Sequence, residues 1–139
     1  MTRRWATIRA DKAREGFTLV ELVIVMLIIG VLMMIAVPKY ERSVQMAREA
    51  VLKEDLRTMR GAIDSYTVDK QKGPQGLDDL VSAGYLQKIP QDPITRRSDT
   101  WMTVQDDAMY NLDQTDPGIT NVHSGAQETA TDGTSYSSW

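Results

Sequence analysis

Glu21 is the residue whose chemistry is hardest to explain, because it places a carboxylate inside an apolar run that extends from Phe17 to Val37. An ionised acid in lipid is costly and calls for a named positive partner. If the chain is cut between Gly16 and Phe17, the new α-amino group on Phe17 lies one helical turn from Glu21, or reaches the Glu21 of a neighbouring copy. Pairing the two inside lipid offsets much of the desolvation each suffers alone. The alternative is an acid that snorkels to the surface near the end of a plain anchor. Elsewhere no catalytic set forms. His123, the single histidine, has no cysteine and no second histidine to work with and reads as a satisfied or exposed polar residue. The serines sit in no nucleophile-elbow pattern and the glycines form no phosphate cradle.

The element that must position Glu21 is a helix. From Phe17 to Val37 a rise of ~1.5 Å per residue covers roughly 32 Å, enough to cross a hydrocarbon layer of ~30 Å. Ahead of it, residues 1–16 hold Arg3, Arg4, Arg9, Lys12 and Arg14 against Asp11 and Glu15, a net +3, so the overall −3 leaves −6 for residues 17–139. The basic leader belongs on the cytoplasmic side, which places everything beyond Val37 across the membrane. A secretory signal peptide is a poor description, since the apolar core runs on through Ile35, Ala36, Val37 and Pro38 instead of ending at a small-residue cleavage site. Pro38 lacks an N–H donor and crowds the preceding turn, so a kink or local melting is expected there. The acidic remainder offers no nucleic-acid surface.

The stretch Gly16-Phe17-Thr18-Leu19-Val20-Glu21-Leu22, with its basic leader and apolar continuation, resembles the class III signal of type IV pilins and type II secretion pseudopilins. The resemblance implies cleavage after Gly16 by a prepilin peptidase that also methylates the new N-terminus on Phe17. It implies that Glu21 sets axial register during filament assembly, and that Pro38 matches the place where such families interrupt the helix.

Past Pro38 the chain keeps helical spacing to about Lys70. Val44, Ala47, Val51, Leu52, Leu56, Met59, Ile63 and Tyr66 recur at steps of three and four as one apolar stripe, and Glu49 with Lys53 and Arg60 with Asp64 read as exposed pairs four apart. Gly73-Pro74 ends this helix. Leu77 to Gly84 reads as a short helix with Gly84 as its cap, followed by an ordered loop through Ile89-Pro90 and Asp92-Pro93. Short strands are expected at 101–104, 109–112 and 119–122, as a small antiparallel meander. The block from Gly76 to Pro93 is similar to the region after the long helix in major pseudopilins of type II secretion. It departs after Pro93, where Ile94-Thr95-Arg96-Arg97 replaces the family's usual tryptophan-glycine and Trp101 arrives later.

With no cysteine, an exported domain of this size relies on packing, hydrogen bonds or a bound ion. The tail from Ser124 to Trp139 is rich in Ser, Thr, Gly and Asp, yet Tyr136 and Trp139 suit it to anchoring. In the family this region forms a calcium loop, which the resemblance carries to Ser124 and Asp132, with backbone carbonyls completing the shell. Gln127 stands where the family often has aspartate, and turn-forming polar residues without metal are the other reading.

The expected fold is α+β and type IV pilin-like: a long N-terminal helix, membrane-spanning in its first half and amphipathic in its second, packed on a small antiparallel β-sheet. The expected organisation is a cytoplasmic leader at 1–16, a transmembrane and polymerisation helix at 17–38 and a periplasmic globular domain at 39–139. The resemblance implies a non-enzymatic subunit of the bacterial inner membrane that leaves the lipid to form a helical homo-oligomeric filament in the periplasm. Its implied partners are the prepilin peptidase, minor pseudopilins and an inner-membrane assembly platform, with no nucleic acid. Two other readings stand beside it: a surface type IV pilin for adhesion, motility or DNA uptake, and a single-pass anchored binding module.

Overall fold

The computed structural model describes residues 16–106 and 117–139. The chain divides after Pro38 into two units, Met1–Pro38 and Lys39–Trp139. One helix, α1 (Leu19–Lys70), contributes to both. From Leu22 to Val37 the helix is apolar on every side, and every residue from Phe17 to Val37 is exposed. Among the described residues α1 is the one helix long and apolar enough to span a membrane. The helix is unbroken through Pro38, so the melting expected there does not occur. The proline costs the N–H that would have paired with the Met34 carbonyl.

In the second unit α1 presents a stripe to the core: Leu52, Leu56, Met59, Ile63 and Tyr66, joined by Ala62. Extended towards the N-terminus at the same spacing, the stripe does not follow Val51 and Ala47, which are exposed, but passes through Glu49, which is buried. The apolar half of the stripe is as expected from periodicity; its polar upper end is not.

After α1, Leu77–Ser82 forms α2. Gly84, at φ +83°, ends it. Its N–H donates to the Val81 carbonyl at 3.1 Å and the Tyr85 N–H to the Leu80 carbonyl at 2.9 Å, the pair of bonds that closes a helix through a left-handed residue. Leu80 and Leu86 enter the core on either side of this turn, and Trp101 joins them with its Nε1 donating to the Pro90 carbonyl at 2.8 Å. The displaced tryptophan thus still reaches the loop that precedes it.

Two strands follow, β1 (Met102–Gln105) and β2 (Ile119–His123), paired antiparallel with Met102 opposite His123 and Val104 opposite Asn121. The register shifts at the next pair, where Gln105 faces Ile119. The extra residue on β2 is why Ile119 and Val122, three apart, are both buried where strict alternation would separate them. The third expected strand, at 109–112, lies outside the described residues. A 3₁₀ turn, Tyr136–Ser138, carries Tyr136 into the core.

Between β2 and that turn the chain crosses close to its own backbone. A Cβ on Gly125 would stand 2.0 Å from the Thr100 carbonyl oxygen, so the backbones meet where only glycine fits. Gly125→Ala is therefore expected to destabilise the fold by about 2–4 kcal/mol. Leu56→Ala should cost about 2–5 kcal/mol, whereas Val51→Ala should stay within about 0.5 kcal/mol despite its place in the apparent sequence stripe. Denaturant titration of the three full-length variants in detergent checks the order.

Candidate functional site

The first site is the start of α1. Thr18 is its N-cap: the Glu21 N–H donates to Thr18 Oγ1 at 3.2 Å, and the Leu22 N–H opens the helical ladder on the Thr18 carbonyl at 3.1 Å. Threonine at the cap with glutamate three residues on is a capping-box arrangement, which places the Glu21 carboxylate in the first turn, where the helix dipole favours negative charge. This lowers part of the cost of an acid at the edge of an apolar run. The Thr-x-x-Glu spacing was open to view in the sequence, and the Thr18 half of the box is the part that forms. Gly16, Phe17, Thr18 and Glu21 line one open concavity, so the residues on either side of the Gly16–Phe17 bond lie beside the acid.

The second site is the junction between α1 and the C-terminal segment, and its principal residue was missed by sequence reading. Glu49 is 7% exposed. Its Oε1 accepts from the Thr131 N–H and the Tyr136 hydroxyl, each at 2.8 Å, and its Oε2 accepts from the Thr131 hydroxyl at 2.5 Å. Gln45, one turn earlier, donates Nε2 to the Tyr136 hydroxyl at 3.1 Å. Glu49 is therefore no exposed mate for Lys53, whose Nζ instead stands 4.2 Å from the centre of the Trp139 ring. Arg60 likewise turns away from Asp64 and donates Nη2 to the Val122 carbonyl at 2.9 Å. Carrying the three-and-four spacing back from Leu52 reaches Glu49 and Gln45, the one signal that could have found them.

A second buried carboxylate, Asp92, organises the neighbouring loop. Its Oδ1 accepts the N–H groups of Ile94 at 2.8 Å and Thr95 at 3.3 Å, and its Oδ2 accepts the Ser124 hydroxyl at 2.5 Å. Asp55 on α1 lies near enough for the two acids to repel.

The residues proposed for calcium are brought to different neighbours. Ser124 is fully buried, with its hydroxyl donating to Asp92 Oδ2 and its oxygen accepting the Ala126 N–H at 3.1 Å. Asp132 is exposed; its Oδ1 accepts both the N–H and the hydroxyl of Thr134, at 2.9 and 2.6 Å, and the cation beside it is Lys53. No group of three or more acids, histidines or cysteines suited to a metal occurs among the described residues. The donor set does not fit a calcium shell. His123 is half-buried and its Nδ1 hydrogen-bonds the main-chain oxygen of Trp139, a satisfied structural side chain.

Burial pushes the Glu49 carboxyl up, but hydrogen bonds from the Thr131 hydroxyl and amide and from Tyr136 outweigh it and hold the group below the usual glutamate value of 4.5. Asp55 goes the other way, raised first by burial and then by the charges of Asp92 and Glu54. For Tyr136, burial leads in raising the phenol, and the Glu49 charge adds to it.

The chain is similar to known proteins, first of all at its N-terminal stretch. The prokaryotic N-terminal methylation motif family matches residues 11–37. The type II secretion system core protein G of Klebsiella pneumoniae is 35% identical over 96 residues, covering 58% of this chain and 69% of that protein. Its namesake in Escherichia coli K12 is 33% identical over 101 residues, covering 61% and 70%. Competence protein ComGC of Halalkalibacterium halodurans is 31% identical over 74 residues, covering 53% and 72%. No solved structure gives a significant match.

A carboxyl held lower in the folded than in the unfolded chain contributes stability that is complete above its ordinary value and is lost as pH falls through the folded one. Glu49 should thus help produce an acid limb beginning near the usual glutamate value of 4.5, and Glu49→Gln should flatten it. Asp55 has the opposite sign: Asp55→Asn should raise the unfolding midpoint at pH 7 and make little difference once Asp55 itself is protonated. Denaturant midpoints of the full chain measured from pH 7 to pH 3 separate the two contributions.

Proposed function

Since the chain belongs to the type II secretion system core protein G family, we propose that it is the major structural subunit of a periplasmic pseudopilus serving protein secretion. The observation that carries this is the uncovered apolar start of α1, headed by a capped Glu21 and continued by a separate unit with its own core. An all-round apolar helix needs lipid or other helices as its surroundings. Stored in the inner membrane with its leader cytoplasmic, the subunit has lipid; assembled, its helix packs among those of its neighbours, and burial of the same apolar surface holds the polymer together.

Processing fits this sequence of states. Cleavage after Gly16 by a prepilin peptidase exposes the Phe17 amine, a cation able to pair with Glu21 of the adjacent subunit and so to fix axial register. Such pairing restores to each charge much of what desolvation takes away. Residues 39–139 form the periplasmic part that covers the filament. The role is structural, supported by relatives that are secretion-system components, and the inner-membrane assembly platform and minor pseudopilins are the partners it requires. The similarity to a competence protein keeps a surface or DNA-uptake filament as the second reading. Finding neighbouring genes for an outer-membrane secretin without a retraction ATPase would favour secretion over the second reading.

Intact mass and N-terminal sequencing of the protein purified from membranes should find a chain that begins at methylated Phe17. Glu21→Leu should insert into membranes at the wild-type level while filament yield falls about tenfold or more, the equivalent of ~1.4 kcal/mol per added subunit. Wild-type filaments from Glu21→Leu would overturn the pairing, and a chain that retains residues 1–16 would overturn processing.

A further inference from the structure

We propose that the C-terminal segment, Ser124 to Trp139, is fastened to the domain by two buried carboxylates of this chain, Glu49 and Asp92, in the place where the sequence resemblance implies a calcium ion. The inference is independent of how the filament is used.

The polarity of the segment is the argument. A calcium shell is built from oxygens that turn their lone pairs inward onto a cation. Here the segment turns hydrogens inward onto anions. The Thr131 N–H, the Thr131 hydroxyl and the Tyr136 hydroxyl converge on Glu49, and the Ser124 hydroxyl points at Asp92. Each carboxylate accepts three hydrogen bonds, the arrangement that allows a charge to stay buried. The segment is closed on itself as well. Ala130 N–H bonds the Thr134 carbonyl at 2.7 Å, Gly133 N–H returns to Ala130 at 3.0 Å, and Thr129 pairs with Ser135 in an antiparallel bridge. This small hairpin sets Thr131 at its tip, over Glu49.

The charges around the segment point the same way. Asp132, the acid a cation would use, has its Oδ1 engaged by Thr134 and lies with Lys53, Arg60 and Trp139 around one concavity. Two cationic side chains there oppose a divalent ion and suit the negative charge already present. Glu49 reaches the segment from α1 and Asp92 from the loop after α2, so the two carboxylates tie it at separate points, as a single ion would tie it at one.

Calorimetric unfolding of the full processed chain in detergent tests this. The midpoint should be the same within about 1 °C in 5 mM calcium chloride and in excess chelator. Titration with calcium chloride should give no saturable heat. Glu49→Gln should lower the midpoint by roughly 5–10 °C in either medium, and Asp132→Asn by no more than about 2 °C. If Glu49→Gln does not fold, Tyr136→Phe, which removes one of the three donors, should still lower the midpoint by a few degrees irrespective of calcium. A wild-type midpoint that climbs several degrees with calcium and drops with chelator would overturn the proposal, as would a Tyr136→Phe midpoint equal to the wild type.

Discussion

One continuous helix has to satisfy two solvents, and the rest of the protein follows from that constraint. Over Leu22 to Pro38 the side chains are apolar around the whole circumference, which suits lipid or a bundle of like helices and nothing aqueous. Beyond Lys39 the same helix carries a single buried stripe, and a small domain must build its core on that stripe alone. Leu52, Leu56, Met59 and Ile63 supply the floor; Leu80, Leu86, Trp101, Ile119 and Val122 close over it. Among the described residues, a two-stranded sheet and a six-residue second helix provide little of the cover. Loops and the C-terminal segment provide the remainder, and they need something other than backbone ladders to hold them.

Buried carboxylates meet that need. A disulfide is ruled out by composition, since the chain has no cysteine. An acid that accepts three hydrogen bonds ties together segments far apart in sequence, as Glu49 does to Thr131 and Tyr136, eighty-two and eighty-seven positions away. The bonds are short and charge-assisted, which makes them stronger than neutral ones, and their geometry is specific. The same logic recurs at Asp92, which shapes its own loop through Ile94 and Thr95 before reaching across to Ser124. Core packing thus settles which face of α1 is covered, while the two acids settle how the chain over it is arranged.

Much of this was legible in the sequence, and the line between legible and hidden is physical. Features set by near neighbours could be read directly: the membrane-length run, the Gly16-Phe17 to Glu21 spacing, the stripe from Leu52 to Tyr66, and the Gly84 turn. The two strands also emerged within a residue or so at each end. What stayed hidden depends on partners distant in sequence. Glu49 beside Lys53 looks like a surface pair because a hydropathy pattern scores side chains by type, and an acid with three donors overhead is invisible to it. Val51 was read as core for the same reason in reverse. Asp92, within an Asp-Pro pair, resembles any turn former, and its bond from the Ser124 hydroxyl joins residues thirty-two positions apart. The bulge in β2 could not be anticipated from five residues of weak alternation.

The settings of Trp101 and Trp139 have an optical consequence. One indole is buried and bonded to the Pro90 carbonyl; the other lies edge-on to Tyr136, ring centres 5.2 Å apart, beneath the Lys53 ammonium. The run from Phe17 to Val37 contains no tryptophan or tyrosine at all. In a chain cut after Gly16, and so without Trp5, every photon emitted by an indole would come from beyond the membrane-length run. The membrane-length run carries no indole, so intrinsic tryptophan fluorescence of such a chain would report on the second unit without any label.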